Sequence, residues 1–225
     1  KEIILTDENK KQVLIEIGLL YHLSKTRNSA KFIIPCIDYI FHKDKLYSFF
    51  PVFSGYKLSN FKYDLRKMSK SQYIQLVKFI IKQLLIAITS IHSNFIFHNN
   101  IDDTSIIINY SNGYDNISIK YVDFTLSCGN YIDKNNNKMI AKCEIPTKYM
   151  NNIENIKFKD KFNDYVKEFI PNMKDTETYK LSQVNDIWCL GIICYDLIHC
   201  KSKINISKKD GILLTNGWSN NNYKF

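Results

Sequence analysis

The chain has 225 residues, 45% of them hydrophobic and 14% aromatic, with only 7 glycines and 4 prolines. This composition excludes intrinsic disorder, collagen-like repeats and Pro-rich linkers, because the apolar share is large enough to form a buried core. The net charge of +9 comes almost entirely from lysine, with only two arginines in the chain. Charge is therefore weak evidence for a nucleic-acid partner, and none is expected.

The six cysteines show no C-x-x-C spacing, which argues against a zinc site and against a small secreted disulfide fold. A reducing, intracellular and cytoplasmic setting is expected. The most apolar stretch, residues 84–91, is far shorter than the roughly 20 residues that a membrane span needs, so no membrane association is expected. The chain starts without Met and ends in an Asn-rich tail, which favours a fragment of a longer protein.

The first predicted elements are a helix and two strands. Residues 10–24 carry apolar side chains at helical spacing, with Glu16 beside the apolar stripe. Residues 32–42 and 45–53 are rich in aromatic and β-branched side chains and are separated by a short polar turn. This pattern predicts two strands joined as a hairpin.

Two apolar helices and a second hairpin follow. From residue 71 to 93 the apolar residues are almost continuous, so this helix should be buried on most sides. A short strand at 95–97 precedes a polar loop, residues 98–105, and then an alternating hairpin over 106–121. A second buried helix is predicted over residues 184–198.

Three short motifs stand at characteristic places in this order of elements. The polar loop opens with His-Asn-Asn at residues 98–100 and reaches Ser105 five residues after the last of them. Residues 123–125, directly after the hairpin, read Asp-Phe-Thr, and residues 186–191, in the second buried helix, read Asp-Ile-Trp-Cys-Leu-Gly. Together they resemble the His-Arg-Asp, Asp-Phe-Gly and Asp-x-Trp-Ser-x-Gly motifs of eukaryotic protein kinases, over nearly the whole chain.

The resemblance implies a bilobal, α+β protein kinase-like fold. Residues 1–53 would form a partial N-lobe, a β-sheet with helix C, in which the Gly-rich loop is missing. Residues 54–225 would form a mainly helical C-lobe that is truncated after the central buried helix. The stretch before Asp186 is longer than the family usually needs, which predicts a Lys-rich insert near residues 155–178.

The resemblance also implies the outline of a pocket for ATP and Mg²⁺. Lys1 and Glu16 stand where the family has the lysine that pairs with ATP and its glutamate partner, and Asp123 stands where the family has a metal ligand. Four positions match the gatekeeper and hinge segment: Phe50, Pro51, Val52 and Phe53.

The positions that carry catalysis depart from the family pattern. Asn100 replaces the Asp that orients the substrate hydroxyl, and losing a general base typically costs about 10²–10⁴-fold in rate. Ser105 replaces the Asn that binds a second metal ion, and its neutral hydroxyl is a poorer ligand. Asp102 replaces a lysine that faces the transferring phosphate, so the charge is reversed. His98 and Asp186 keep the family's residues and are expected to be structural anchors of the loop.

Three other substitutions leave alternatives open. Asn99 replaces an Arg that in many kinases pairs with a phosphorylated activation loop, so that switch is expected to be absent. Thr125 replaces the Gly of Asp-Phe-Gly and is expected to stiffen the turn after Asp123. Asp102 or Asp103 could serve as a displaced base, although solvated loop acids are the commoner case.

The resemblance leads to two competing functions, a pseudokinase and an active kinase. The Lys-rich insert leads to a third, a basic scaffold. The losses at Asn100, Asp102 and Ser105 favour a pseudokinase that acts as a regulatory or scaffolding module on a protein partner and binds ATP weakly. The alternative is a divergent active serine/threonine kinase that transfers the γ-phosphate of ATP to hydroxyls of a protein substrate. A third hypothesis is a basic scaffold whose Lys-rich insert contacts nucleic acid or acidic proteins, although such runs are usually solvated. The sequence predicts no oligomeric state.

Overall fold

The computed structural model describes residues 1–110, 117–143 and 176–199, and in the last stretch it describes side chains from residue 182 onwards. Within these residues, helices combine with small antiparallel sheets, which confirms the predicted α+β class. The α-helices described are α1 (Lys10–Lys25), α2 (Leu58–Leu65), α3 (Lys70–His92) and α4 (Thr176–His199). Most of the predicted insert near 155–178 lies outside the described residues.

The strands of the described ranges pair into three small sheets. The first has the order β1-β3-β2, with β1 (Glu2–Ile4), β2 (Asp38–His42) and β3 (Lys45–Phe49). The second has the order β4-β6-β7, with β4 (Tyr56–Lys57), β6 (Ile106–Tyr110) and β7 (Ile117–Tyr121). The third has the order β5-β8-β9, with β5 (Ile96–Phe97), β8 (Cys128–Ile132) and β9 (Lys138–Ala141). The loop 98–105 therefore connects β5 to β6, and the turn at 122–127 connects β7 to β8.

The first hairpin is shorter than its sequence pattern predicted. Strand β2 begins at Asp38 instead of residue 32, because Pro35 lacks a backbone N–H to donate and a short 3₁₀ turn occupies Ala30–Phe32. Strand β3 ends at Phe49 instead of residue 53, since Pro51 interrupts the ladder in the same way. The predicted hairpin is therefore present, with both outer ends shortened by proline.

Helix α3 has the predicted position but not the predicted burial. It starts with a capping box, in which Ser69 and Gln72 bond reciprocally across the first turn. One face packs against β7 and α4, while Ile74, Leu85 and Ile86 are 41%, 48% and 39% exposed. The prediction of a helix buried on most sides is therefore wrong.

The length of α3 also bears on membrane association. In the part of the chain that the structure describes, this is the one helix long and apolar enough to cross a membrane by length and composition. A core helix of a water-soluble protein passes the same test, and α3 buries a face that includes Leu76, Ile80 and Leu84. The helix is thus weak evidence for a membrane span. It is nevertheless longer than the apolar stretch 84–91, on which the expectation of no membrane association was based.

The buried apolar side chains form one cluster that joins all four helices and the sheets. Helix α1 packs on β8 and on the 3₁₀ turn Phe124–Leu126. Strand β8 pairs closely with β5 through Gly129, whose φ is +135° and whose added Cβ would lie 2.0 Å from the Phe95 carbonyl oxygen. Only glycine allows this approach, and it brings the turn at 122–127 next to the loop 98–105.

A disulfide joins Cys128, at the start of β8, to Cys143, just after β9. The spacing of the cysteines gave no signal for it, because the two lie 15 residues apart on neighbouring strands. Among the described residues, Cys36, Cys189 and Cys194 take no part in a disulfide. Disulfides persist mainly in oxidising compartments, so this bond weighs against the reducing setting that the cysteine count favoured. The cytoplasmic location stays a prediction.

Candidate functional site

The loop 98–105 is fixed at its first two residues by α4. Asp186, fully buried on α4, accepts the backbone N–H of His98 at 2.7 Å on one carboxylate oxygen and that of Asn99 at 2.7 Å on the other. His92 Nε2 lies 2.9 Å from the first of these oxygens. One carboxylate thus satisfies two buried amides that have no place in a strand ladder.

The imidazole of His98 ties the same loop to the end of β7. Its Nε2 lies 3.0 Å from the carbonyl oxygen of Val122, and its Nδ1 lies 3.3 Å from the backbone N of Asn100. Burial lowers the pKa of His98, although the Asp186 carboxylate acts in the opposite direction. The neutral ring can donate at Nε2 and accept at Nδ1, which matches both contacts.

The side chain of Asn99 also faces the interior. Its φ is +58°, a region that Asn enters more readily than most residues. The Nδ2 group donates to Ser182 Oγ at 3.2 Å and to Cys128 Sγ at 3.3 Å, whereas its buried Oδ1 has no hydrogen-bond partner. The neutral Asn99 side chain therefore packs the loop on α4 and β8.

The third residue of the loop contacts the predicted metal ligand. Asn100 Nδ2 donates to Asp123 Oδ2 at 2.7 Å, and the Thr125 hydroxyl donates to Asp123 Oδ1. Asp123 is exposed and has φ +65°. We call this arrangement of Asn100, Asp123 and Thr125 the latch. The left-handed residue of the turn is Asp123, not Thr125. Thr125 therefore does not occupy a backbone conformation that favours glycine, and the stiffening expected from it stays a prediction.

Asp102 and Ser105 are engaged within the loop itself. Asp102 Oδ1 lies 2.7 Å from the backbone N of Thr104, 2.6 Å from its hydroxyl and 2.9 Å from the backbone N of Ser105. Ser105 is buried, and its hydroxyl donates to the Asp102 carbonyl oxygen at 2.9 Å. Such turns built on an Asp side chain are common in loops, and here they use the groups predicted to face a phosphate and a metal ion.

Lys1, directly before β1, lies close to Glu16 on α1. Lys1 Nζ lies 4.0 Å from Glu16 Oε1, and the side chains are 53% and 12% exposed. Burial raises the pKa of Glu16, the nearby Lys1 ammonium lowers it, and the Asp123 carboxylate adds a smaller upward effect. Sequence reasoning thus selected three residues that the fold brings into one neighbourhood, with the ion pair at the outer limit of contact.

The gatekeeper and hinge positions form the link between β3 and β4. Phe50 packs partly against the core, while Pro51 is exposed and Val52 is fully exposed. Phe53 is half-buried, with Lys120 Nζ 5.5 Å from its ring centroid. The segment is a surface loop without regular secondary structure, whereas its apolar sequence predicted that β3 would continue through it.

An ionic cluster behind the loop was missed. Lys62 on α2 is only 9% exposed, and its Nζ lies 3.1 Å from Asp103 Oδ2 and 2.6 Å from Asp196 Oδ2. The signal for it was a lysine between Phe61 and Leu65, on the apolar face of a short helix. Asp103 is therefore paired with a buried cation, which argues against its use as a displaced base.

The donor set near Asp123 does not fit a divalent cation. Mg²⁺ takes oxygen ligands in near-octahedral geometry. Asn100 presents its NH₂ group to Asp123, and Ser105 and Asp102 are used within their own loop. Nowhere in residues 1–110, 117–143 and 182–199 do three or more His, Cys, Asp or Glu side chains form a group that could hold a metal ion.

A scan against models of protein families finds no match for this chain, and a search of curated proteins finds none either. The functional assignment therefore depends on the geometry of the site. Three features define that geometry: the loop 98–105 fixed by Asp186, the latch, and the Lys1–Glu16 pair.

Proposed function

We propose that the chain is a bilobal protein kinase-like domain that is impaired in phosphoryl transfer and acts as a regulatory or scaffolding module on a protein partner. The observation that carries the proposal is the contact between Asn100 and Asp123. In an active kinase these two positions would hold the catalytic base and a metal ligand. Here an amide stands at the first and donates its proton to the second.

The order of groups around the site supports the kinase-like part of the proposal. Kinases need a lysine paired with a glutamate on the helix that follows it, and Lys1, directly before β1, lies 4.0 Å from Glu16 on α1. The loop 98–105 precedes a hairpin that leads to Asp123, as the family's motifs require. Asp186 holds the backbone of that loop at two amides.

The chemistry of three positions supports the impaired part. An amide has no basic site for the proton of a substrate hydroxyl, so Asn100 cannot replace the base. The hydroxyl of Ser105 is bonded to its own loop, and the Asp102 carboxylate adds negative charge where phosphate charge develops. Positioning and electrostatics supply most of the catalysis in phosphoryl transfer, and each of these changes weakens one of them.

A divergent active kinase is the second candidate, and the Lys1–Glu16 pair is the observation that favours it. In kinases this pair places the phosphates of ATP. Binding of ATP is compatible with both candidates, with weak binding expected for the first. The two differ in whether transfer occurs.

Transfer of ³²P from labelled ATP to a general protein substrate, with Mg²⁺ or Mn²⁺, separates them. We expect the parent chain and Asn100→Asp to give no more labelled protein than the matched control Asp123→Ala. If the parent chain itself transfers label well above Asp123→Ala, the active-kinase candidate is correct and the proposal is wrong. Transfer by Asn100→Asp alone would identify the missing base as the main defect. Cooperative thermal unfolding of all three proteins checks that they are folded.

A further inference from the structure

In the latch, each carboxylate oxygen of Asp123 accepts one hydrogen bond from a protein side chain. Asn100 Nδ2 lies 2.7 Å from Oδ2, and the Thr125 hydroxyl donates to Oδ1. An ionised carboxylate is an acceptor only, so the amide next to it must present its NH₂ group and not its oxygen. The side chain that could have offered an oxygen to a cation therefore offers protons instead.

Asn100 is held in this orientation by the buried part of the loop. Its backbone N lies 3.3 Å from His98 Nδ1, and the other nitrogen of that ring lies 3.0 Å from the Val122 carbonyl oxygen. Asp186 fixes the backbone of His98 at 2.7 Å. The latch thus joins an exposed carboxylate to a loop whose backbone is held by buried hydrogen bonds.

The other polar side chains of the loop do not supply cation ligands in place of Asn100. Ser105 is buried with its hydroxyl bonded at 2.9 Å to the Asp102 carbonyl oxygen, and the Asp102 carboxylate accepts three bonds from its own loop. A hard cation needs several oxygen ligands that are available at once. Within the latch and the loop 98–105, Asp123 is the carboxylate that remains, and two side-chain donors already contact it.

We propose that Asn100 is a positioning residue that keeps Asp123 in a hydrogen-bonded state and thereby makes this site independent of divalent cations. The inference rests on the proposed function, because it concerns the same kinase-like site, and it specifies how that site is regulated: by a contact within the protein and not by metal. Replacing the amide by a carboxylate removes both donor protons and creates a two-carboxylate cation site.

The test uses the full chain without nucleotide, so that its result does not depend on phosphoryl transfer. Mn²⁺ binding is measured by electron paramagnetic resonance of the free ion, and thermal midpoints are recorded in Mn²⁺ and in EDTA. The proteins are the parent, Asn100→Asp, Asp123→Asn and the double variant. Asn60→Asp, at an exposed position on α2, adds the same charge away from the site and is the matched control.

The expected result is that Asn100→Asp binds one Mn²⁺ at least about tenfold more tightly than the parent, because a second carboxylate near a divalent ion adds a strong attraction. The double variant and Asn60→Asp should bind like the parent. The inference is overturned if the parent itself shows a Mn²⁺-dependent rise in midpoint that Asp123→Asn abolishes. Equal, weak binding by the parent and a cooperatively folded Asn100→Asp would also overturn it, since the amide would then not be what excludes the cation.

Discussion

The start of the loop 98–105 makes two contrasting contacts, one buried and one exposed. In the buried contact, Asp186 accepts the backbone amides of residues 98 and 99 at 2.7 Å and contacts His92, and its own side chain has no exposed surface. In the exposed contact, one residue further along the loop, Asn100 donates to Asp123 in the surface turn after β7. We call the first the anchor, composed of His92, His98, Asn99 and Asp186, and compare it with the latch.

The anchor holds the loop in place, whereas the latch involves the exposed carboxylate of Asp123, the group predicted to take part in chemistry. A buried carboxylate with good partners is costly to disturb, because removing it leaves unsatisfied amides in a dry interior. An exposed carboxylate can exchange its protein partner for water at little cost. Under the proposed function, His98 and Asp186 of the anchor match the kinase motifs, whereas Asn100 and Thr125 of the latch depart from them.

The largest effect should come from Asp186→Ala. We expect a loss of about 3–5 kcal/mol in the free energy of unfolding, since a buried charged acceptor is removed and its partners are left unpaired. Urea unfolding measures this, with Asp64→Ala, an exposed acid on α2, as a control that should stay within about 0.5 kcal/mol of the parent. If Asp186→Ala lowers the free energy of unfolding no more than the control does, the anchor does not stabilise the fold and the comparison fails.

The disulfide next to the anchor should have the second largest effect. It closes a loop of 15 residues, and constraint of the unfolded chain by such a loop is worth about 3 kcal/mol. Cys143→Ser should therefore lower the urea midpoint, whereas Cys194→Ser, at an unpaired position, should not. Unchanged stability of the parent protein after complete reduction would contradict this prediction.

Lys62→Met tests the ionic cluster behind the loop. Removing the cation leaves Asp103 and Asp196 without their partner, but these side chains are 35% and 38% exposed, so solvent limits the cost to about 1–2 kcal/mol. The control is Lys67→Met, which breaks an exposed pair with Asp64 and should cost less than about 0.5 kcal/mol. Equal losses for the two variants would place Lys62 among ordinary surface cations.

The anchor should also make stability depend on pH. Burial lowers the pKa of His98 below its usual 6.5, so the unfolded chain takes up a proton before the folded chain does. Stability should therefore fall as pH decreases through about 6.5 and below, because protonation favours the unfolded state.

Urea unfolding at a series of pH values checks this dependence. The slope should be smaller in His98→Gln than in the parent and unchanged in His42→Gln, at an exposed position on β2. Some slope should remain in His98→Gln, since burial also lowers the pKa of His22. Parallel curves for the parent and His98→Gln would exclude His98 as the source.

The smallest effect is expected at the latch. Asn100→Ala removes one hydrogen bond to an exposed carboxylate that water can solvate, so the free energy of unfolding should fall by about 1 kcal/mol or less. Thr125→Val, which removes the other donor of the latch, is the matched variant and should behave similarly. If either variant lost as much free energy of unfolding as Asp186→Ala, the distinction between the anchor and the latch would be wrong.

Local pattern was a good guide where neighbours in sequence are neighbours in space. Periodicity placed α1 and α3 to within one or two residues. An apolar run placed β6, and the alternation of apolar and polar side chains placed β7. Errors arose where backbone chemistry overrode composition, as at Pro35 and Pro51. Helix α2 was missed, because eight residues contain too few periods for a clear pattern.

The sequence by itself determined the α+β class, the order of the main elements and the identity of the loop 98–105 and the turn at Asp123. The tertiary structure alone decided which side chains meet. The latch joins residues 23 apart in sequence, the closest contact of Lys62 is with a residue 134 away, and the disulfide spans 15. Spacing along a chain reports the periods of helices and strands, whereas contacts at these separations depend on how the sheets and helices pack.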